Sequence, residues 1–154
     1  MVGLLTMFCS AGVLAEPVGQ FAEHLDIGAV KHSGSAIYDA VDQKYTISGS
    51  GKNMWAGEDQ LQYVYNQISG DFIVSAQVAF EGKGVDPHRK IGLNVRSNLD
   101  TASPNINTAI HGDGLTSLQF REKSGGDTDQ YPLQIKAPDV IQLERRGDVY
   151  IFSA

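Results

Sequence analysis

The sequence holds a single cysteine, Cys9, and that residue lies in an apolar opening segment, so the rest of the chain has no thiol. Disulfides, cysteine nucleophiles and cysteine-based metal sites are excluded from everything beyond it. Positive charge is scarce as well: 12 Lys and Arg stand against 18 Asp and Glu, for a net charge of −6. No basic run exceeds a pair, Arg89-Lys90 or Arg145-Arg146. The phosphate-neutralising surface of a nucleic-acid binder is therefore missing. Helical periodicity is rare. The four histidines, His24, His32, His88 and His111, form no HxH or HxxxH pair, so the spacing signature of a zinc site is absent. No GxSxG occurs, which disfavours a nucleophile-elbow hydrolase. No metal and no other cofactor is expected.

What is present begins with "MVGLLTMFCSAGVLAEP". Its apolar run, Val2 to Ala15, is too short to cross a bilayer as a mature helix. With Val13 and Ala15 at the −3 and −1 positions before Glu16, residues 1–15 are expected to be a signal peptide, although the usual positive n-region is lacking. The expected organisation is signal peptide 1–15, short linker 16–23 and one domain over 24–154, with no membrane span in the mature chain and a periplasmic or secreted location.

After Pro17 the chain breaks into short alternating segments separated by turn residues, the pattern of an all-β domain. Strands are expected near 26–31, 36–38, 44–48, 60–66, 72–81, 91–97, 105–111, 115–122, 131–135, 140–146 and 149–153. "SGD" at Ser69–Asp71, "SGGD" at Ser124–Asp127 and "GD" at Gly147–Asp148 are tight-turn chemistry, so sequence neighbours should pair antiparallel. A two-sheet antiparallel sandwich follows.

The phase of the alternation points to a site. Ile91, Leu93 and Val95 share one face of their strand, opposite Asn94 and Arg96. Ile106 and Ile110 likewise oppose Asn107 and His111, and Leu118 and Phe120 oppose Gln119 and Arg121. Asn94, Arg96, Asn107, His111, Gln119 and Arg121 thus form one polar face rich in donors and acceptors, suited to a neutral polar ligand such as a glycan. "HGDGLTSLQFRE" reads as a strand ending at His111, a turn over Gly112–Gly114 and a strand from Leu115. In that reading His111 belongs to the polar sheet face, with catalysis as the other reading.

Other motifs carry less. "SGSGKN" fails as a phosphate loop, because Thr46 stands where the first glycine is required and Asn53 where Ser or Thr is. "RGD" at Arg146–Asp148 reads as a hairpin turn. Glycosidases need two carboxyl groups flanking the sugar bond. Glu58 and Asp59 would point to opposite faces of a strand, and no spacing links Glu81 to Glu144. Trp55, with Tyr63 and Tyr65 near it, reads either as a sugar-stacking residue or as core. Asp39, Asp42 and Asp100 read as turn formers rather than calcium ligands.

Three segments, "HLDIGAVKHSGSAIYDAVDQKYTISGSGKNMW", "GDFIVSAQVAFEGKGVDPHRKIGLNVRSNLD" and "HGDGLTSLQFREKSGG", together resemble the DUF1349-type concanavalin A-like domain of exported bacterial proteins, which accompanies TolB-like propeller proteins. The resemblance runs from about His24 to the C-terminus. It implies a jelly-roll sandwich of the lectin and glucanase type, with a carbohydrate-binding role, and a propeller-type protein as a candidate partner. The ExDxE pattern of family-16 glucanases is absent, which argues against that activity. Members of this type continue for several more strands, whereas this chain stops within the apolar "VYIFSA", so the domain is expected to be incomplete. The leading expectation is a non-catalytic carbohydrate-binding or accessory domain. The alternatives are a hydrolase or lyase acting on a modified sugar through His111 with Arg96 or Glu144, and a structural module docked on a propeller partner.

Overall fold

Side chains of alternating polarity demand an extended backbone with one wet and one dry face, and the chain takes that form throughout. The computed structural model describes residues 17–154, so the expected signal peptide lies outside the described residues. The strands are β1 (Glu23–Ile27), β2 (Ser35–Asp39), β3 (Lys44–Ser48), β4 (Met54–Trp55), β5 (Glu58–Asp59), β6 (Leu61–Tyr65) and β7 (Phe72–Gln77). They continue as β8 (Lys90–Arg96), β9 (Asn105–His111), β10 (Thr116–Arg121), β11 (Asp129–Pro132), β12 (Val140–Arg146) and β13 (Val149–Ser153). Among the described residues there is no helix, and none therefore is long and apolar enough to cross a membrane.

Among the described residues every pairing is antiparallel and no sheet closes into a barrel, the arrangement of an all-β sandwich. One sheet runs β11-β10-β9-β8 and the other β13-β12-β7, while β1-β6, β2-β3 and β4-β5 are two-stranded. β12 packs across β8 and β9. Ile141 and Leu143 on β12 and Ile110 on β9 fill the space between the sheets, and each is at most 3% exposed. The apolar phase of β8, β9 and β10 thus faces the second sheet. Burying these side chains contributes on the order of 1.5–3 kcal/mol each.

Residues 17–23, expected as a linker, are held on the domain. The Gln20 N–H donates to the Tyr45 hydroxyl at 2.7 Å, and Asn66 bonds Ala22 N and Gln20 O at 2.8 and 3.0 Å. The short hairpin β4–β5 was not expected, since two residues per strand carry no readable alternation. Strand β11 also lies two residues earlier than its apolar content suggested.

Candidate functional site

All six polar residues singled out by alternation share one face of the four-stranded sheet. The register sets Asn94 opposite Asn107, Asn107 opposite Gln119 and Arg121 opposite Asn105. This face is covered: Asn107, His111, Gln119 and Arg121 are at most 5% exposed. The cover is a strap formed by β4, β5 and the residues beside them. Lys90 Nζ bonds Asn53 Oδ1 at the hairpin's open end, and Asp59, one pair in from that end, sits in the sheet's arginine cluster.

That cluster is a lock. Arg121 meets Asp59 in a two-pronged pair, with Nη2 2.6 Å from Oδ1 and Nη1 2.9 Å from Oδ2. Its remaining donors reach Ala56 O, Gly126 O, Ser103 O and the Thr128 hydroxyl. Arg96 Nη1 lies 3.4 Å from Asp59 Oδ2, while Nε and Nη2 serve Asn98 O and Asp100 O. Burial pulls the Arg96 guanidinium below its ordinary pKa, against the pull of Asp59. Both arginines have their donors occupied by loop carbonyls and one carboxylate, so they organise loops.

The middle of the face is different. Asn94 Oδ1, Asn107 Nδ2, Ser117 Oγ and Gln119 Oε1 are buried and have no hydrogen-bond partner among the described residues. Burying such an atom unbonded costs about 1–3 kcal/mol. Four of them, on three adjacent strands, form a row of unmet donors and acceptors. Trp55 sits on the strap at 40% exposure. It pairs with Glu58, whereas the neighbouring pair is Met54 with buried Asp59. Trp55 and Glu58 therefore share the strap face turned from the arginine cluster.

At the other end, β9 stops at His111 and the turn Gly112–Leu115 returns the chain into β10. Gly114 takes φ +89°, a conformation that a side-chain-bearing residue rarely adopts. The His111 ring faces Gln119 through Nε2 at 3.3 Å and His88 through Nδ1 at 3.4 Å. Asp113 Oδ2 lies 3.8 Å from His88 Nδ1. Burial first, then the Lys90 ammonium, pushes the His111 pKa down to about 4, so its ring is neutral near pH 7. Burial also lowers Lys90. Asp113 is held below its ordinary value, chiefly by the Leu115 N–H. The meeting of His88, His111 and Asp113 had no spacing signal, because 23 residues separate the two histidines.

The pairing of His111 with Glu144 is not realised. Ile141 and Leu143 point inward from β12, so Glu144 lies on the outer side of the opposite sheet, bonded to Arg146. A cleft of about 220 Å³ between the sheets is lined mainly by apolar residues, among them Val78, Phe80, Ile91, Ile110 and Pro138, with Asp139 its one charged group. No protein family, curated protein or solved structure matches the chain.

Proposed function

We propose that the chain is a non-catalytic carbohydrate-binding or accessory domain of an exported bacterial protein, of the concanavalin A-like kind its segments resemble. The observation that carries this reading is the row of unmet neutral groups at Asn94, Asn107, Ser117 and Gln119. A sugar hydroxyl both donates and accepts, so adjacent hydroxyls match alternating amide oxygens, amide nitrogens and a serine. Trp55, on the strap face turned from this row, offers a flat apolar face to a ring outside the strap rather than to one bound beneath it. Binding requires the strap to lift. Asp59 fixes it by buried ion pairs, Lys90 bonds Asn53 beside it, and the bond from Gln60 N to Asn53 O holds the two limbs of the hairpin to each other. The hairpin therefore moves as a unit.

Calorimetry with neutral and uronic-acid oligosaccharides tests the reading. Saturable binding that Asn107→Ala weakens by roughly 0.5–1.5 kcal/mol, with the fold intact, supports it. Absence of binding to every glycan class overturns it, and release of products turns the reading toward a sugar hydrolase or lyase. A second reading, docking on a propeller-type partner, is favoured by Ile73 and Ile151. They flank Glu144 on the outer face of the second sheet at 63% and 37% exposure. Co-purification with such a partner, abolished by Ile73→Asp, checks it.

A further inference from the structure

The geometry points to a divalent transition-metal site formed by His88, His111 and Asp113, of the class that takes zinc. Its three ligands lie outside the row proposed for glycans, and only Gln119 borders both. The three residues offer two imidazole nitrogens and one carboxylate oxygen, all within 4.8 Å of one another. Ligand atoms about 2.0–2.1 Å from zinc at tetrahedral angles stand roughly 3.3–3.4 Å apart. His88 Nδ1 and His111 Nδ1 are 3.4 Å apart, and Asp113 Oδ2 is 3.8 Å from the former. The imidazole planes are 88° apart with centroids at 5.6 Å, so the rings meet edge-on through these nitrogens rather than stacking.

The backbone holds the donors in place. Gly112 N bonds Arg89 O at 2.9 Å and Asp113 N bonds Pro87 O at 2.8 Å, clipping the loop that carries His88 to the turn that carries Asp113. A Cβ on Gly112 would stand 2.9 Å from Arg89 Cγ and 3.2 Å from Pro87 O, so only glycine permits this approach without a shift. Asp113 Oδ1 accepts from Leu115 N at 3.0 Å, which turns Oδ2 toward His88. Asp86 Oδ1 accepts from His88 N at 2.7 Å and fixes the loop before the ring. The Lys90 ammonium is bonded to Asn53.

The residue behind His111 fits the same role. A histidine that ligates through one nitrogen usually donates from the other to an outer partner. Gln119 Nε2 also bonds Gln130 Oε1 at 3.3 Å, and Gln130 is exposed; turning over both amides keeps that bond and places the unmet Gln119 Oε1 against His111 Nε2, so the ring nitrogen donates to it and Nδ1 is left free for the metal. Borderline nitrogen and carboxylate donors select zinc, nickel or cobalt over calcium and magnesium, which take oxygen alone. The exposed sides of His88 and Asp113 leave a coordination position open to solvent.

The test is titration of the untagged full chain with zinc against a chromophoric chelator, and with cobalt by visible absorption. One equivalent should bind at micromolar or lower concentration. His88→Ala and Asp113→Asn, both on exposed loops, should each weaken it at least tenfold, and Gln119→Leu by about 10–100-fold. Cys9→Ser, His24→Ala and His32→Ala should leave it unchanged. Failure to bind zinc at millimolar concentration overturns the site, as does affinity unaltered in both loop variants. Glycan binding that persists in His88→Ala keeps this result separate from the carbohydrate reading.

Discussion

Asp59 and Arg121 face each other across the strap, joined by two hydrogen bonds of 2.6 and 2.9 Å, and the two side chains are respectively 1% and 0% exposed. Arg96 shares the same carboxylate at 3.4 Å. Two cations on one anion leave a net positive charge out of water, which the surrounding carbonyls of Ala56, Ser103, Asp100 and Gly126 offset as dipoles. The arrangement ties the strap, the loop before β9 and the loop after β10 to one point.

Asp59→Ala should therefore destabilise the domain by about 3–5 kcal/mol, the range for removing one partner of a buried pair. Urea unfolding measures this. Arg121→Met combined with Asp59→Ala should recover part of the loss, since the double variant no longer buries an uncompensated Arg121. A loss below 1 kcal/mol in the single variant would show that the cluster does not hold the strap.

Strand positions were legible because the alternation is strong. β9 ends at His111 and β12 spans Val140–Arg146, as the alternation indicates. The phase was legible too, since Ile110, Ile141 and Leu143 do face inward. The cover over the polar face was not. Asp59 lies 62 residues before Arg121, and a sheet residue's own alternation says which face it points to, not what crosses that face. The rule that polar faces are wet fails here because the arginines bury themselves against loop carbonyls and Asp59, and the amides beside them are buried with groups left unmet. The meeting of His88 with His111 and Asp113 was not legible either: His88 follows Asp86 and Pro87 in a loop, where periodicity carries no information.

Ser117→Ala should raise stability by roughly 1 kcal/mol. The Ser117 hydroxyl is 0% exposed and has no partner among the described residues, so its removal relieves a desolvation cost. The same variant should weaken glycan binding, giving opposite signs in thermal unfolding and calorimetry. A loss of stability would mean that the hydroxyl is bonded in solution by an ordered water.

Gly92→Ala should destabilise the central sheet by about 1–3 kcal/mol, the range for overpacking. An added Cβ would fall 1.7 Å from Thr108 O and 3.2 Å from Asn107 Oδ1. Strand β8 would have to move away from β9. Gly70→Ser has the opposite profile, because nothing lies within 4 Å of its Cβ position but its φ of +77° strains any side chain. Chemical denaturation of the two variants separates crowding from backbone strain.

The last prediction concerns pH in the metal-free chain, with a chelator present. His111 has a folded-state pKa of about 4 against an ordinary 6.5, because burial and the Lys90 ammonium disfavour its charged form. A group whose folded pKa is depressed takes up its proton more readily in the unfolded chain, so lowering the pH favours unfolding. The stability attached to neutral His111 is complete above about pH 6.5 and is lost as the pH falls toward 4. Asp113, also depressed, adds a loss of the same sign at the acidic end of that range. Urea midpoints measured between pH 7 and pH 4 should therefore fall, and His111→Gln, which carries no titrating ring, should fall less steeply. Carbon-bound proton shifts of the His111 ring should place its midpoint well below 6.5. Parallel slopes in the two proteins, together with a His111 midpoint near 6.5, would mean that the ring is hydrated and that the strap does not cover this end of the sheet.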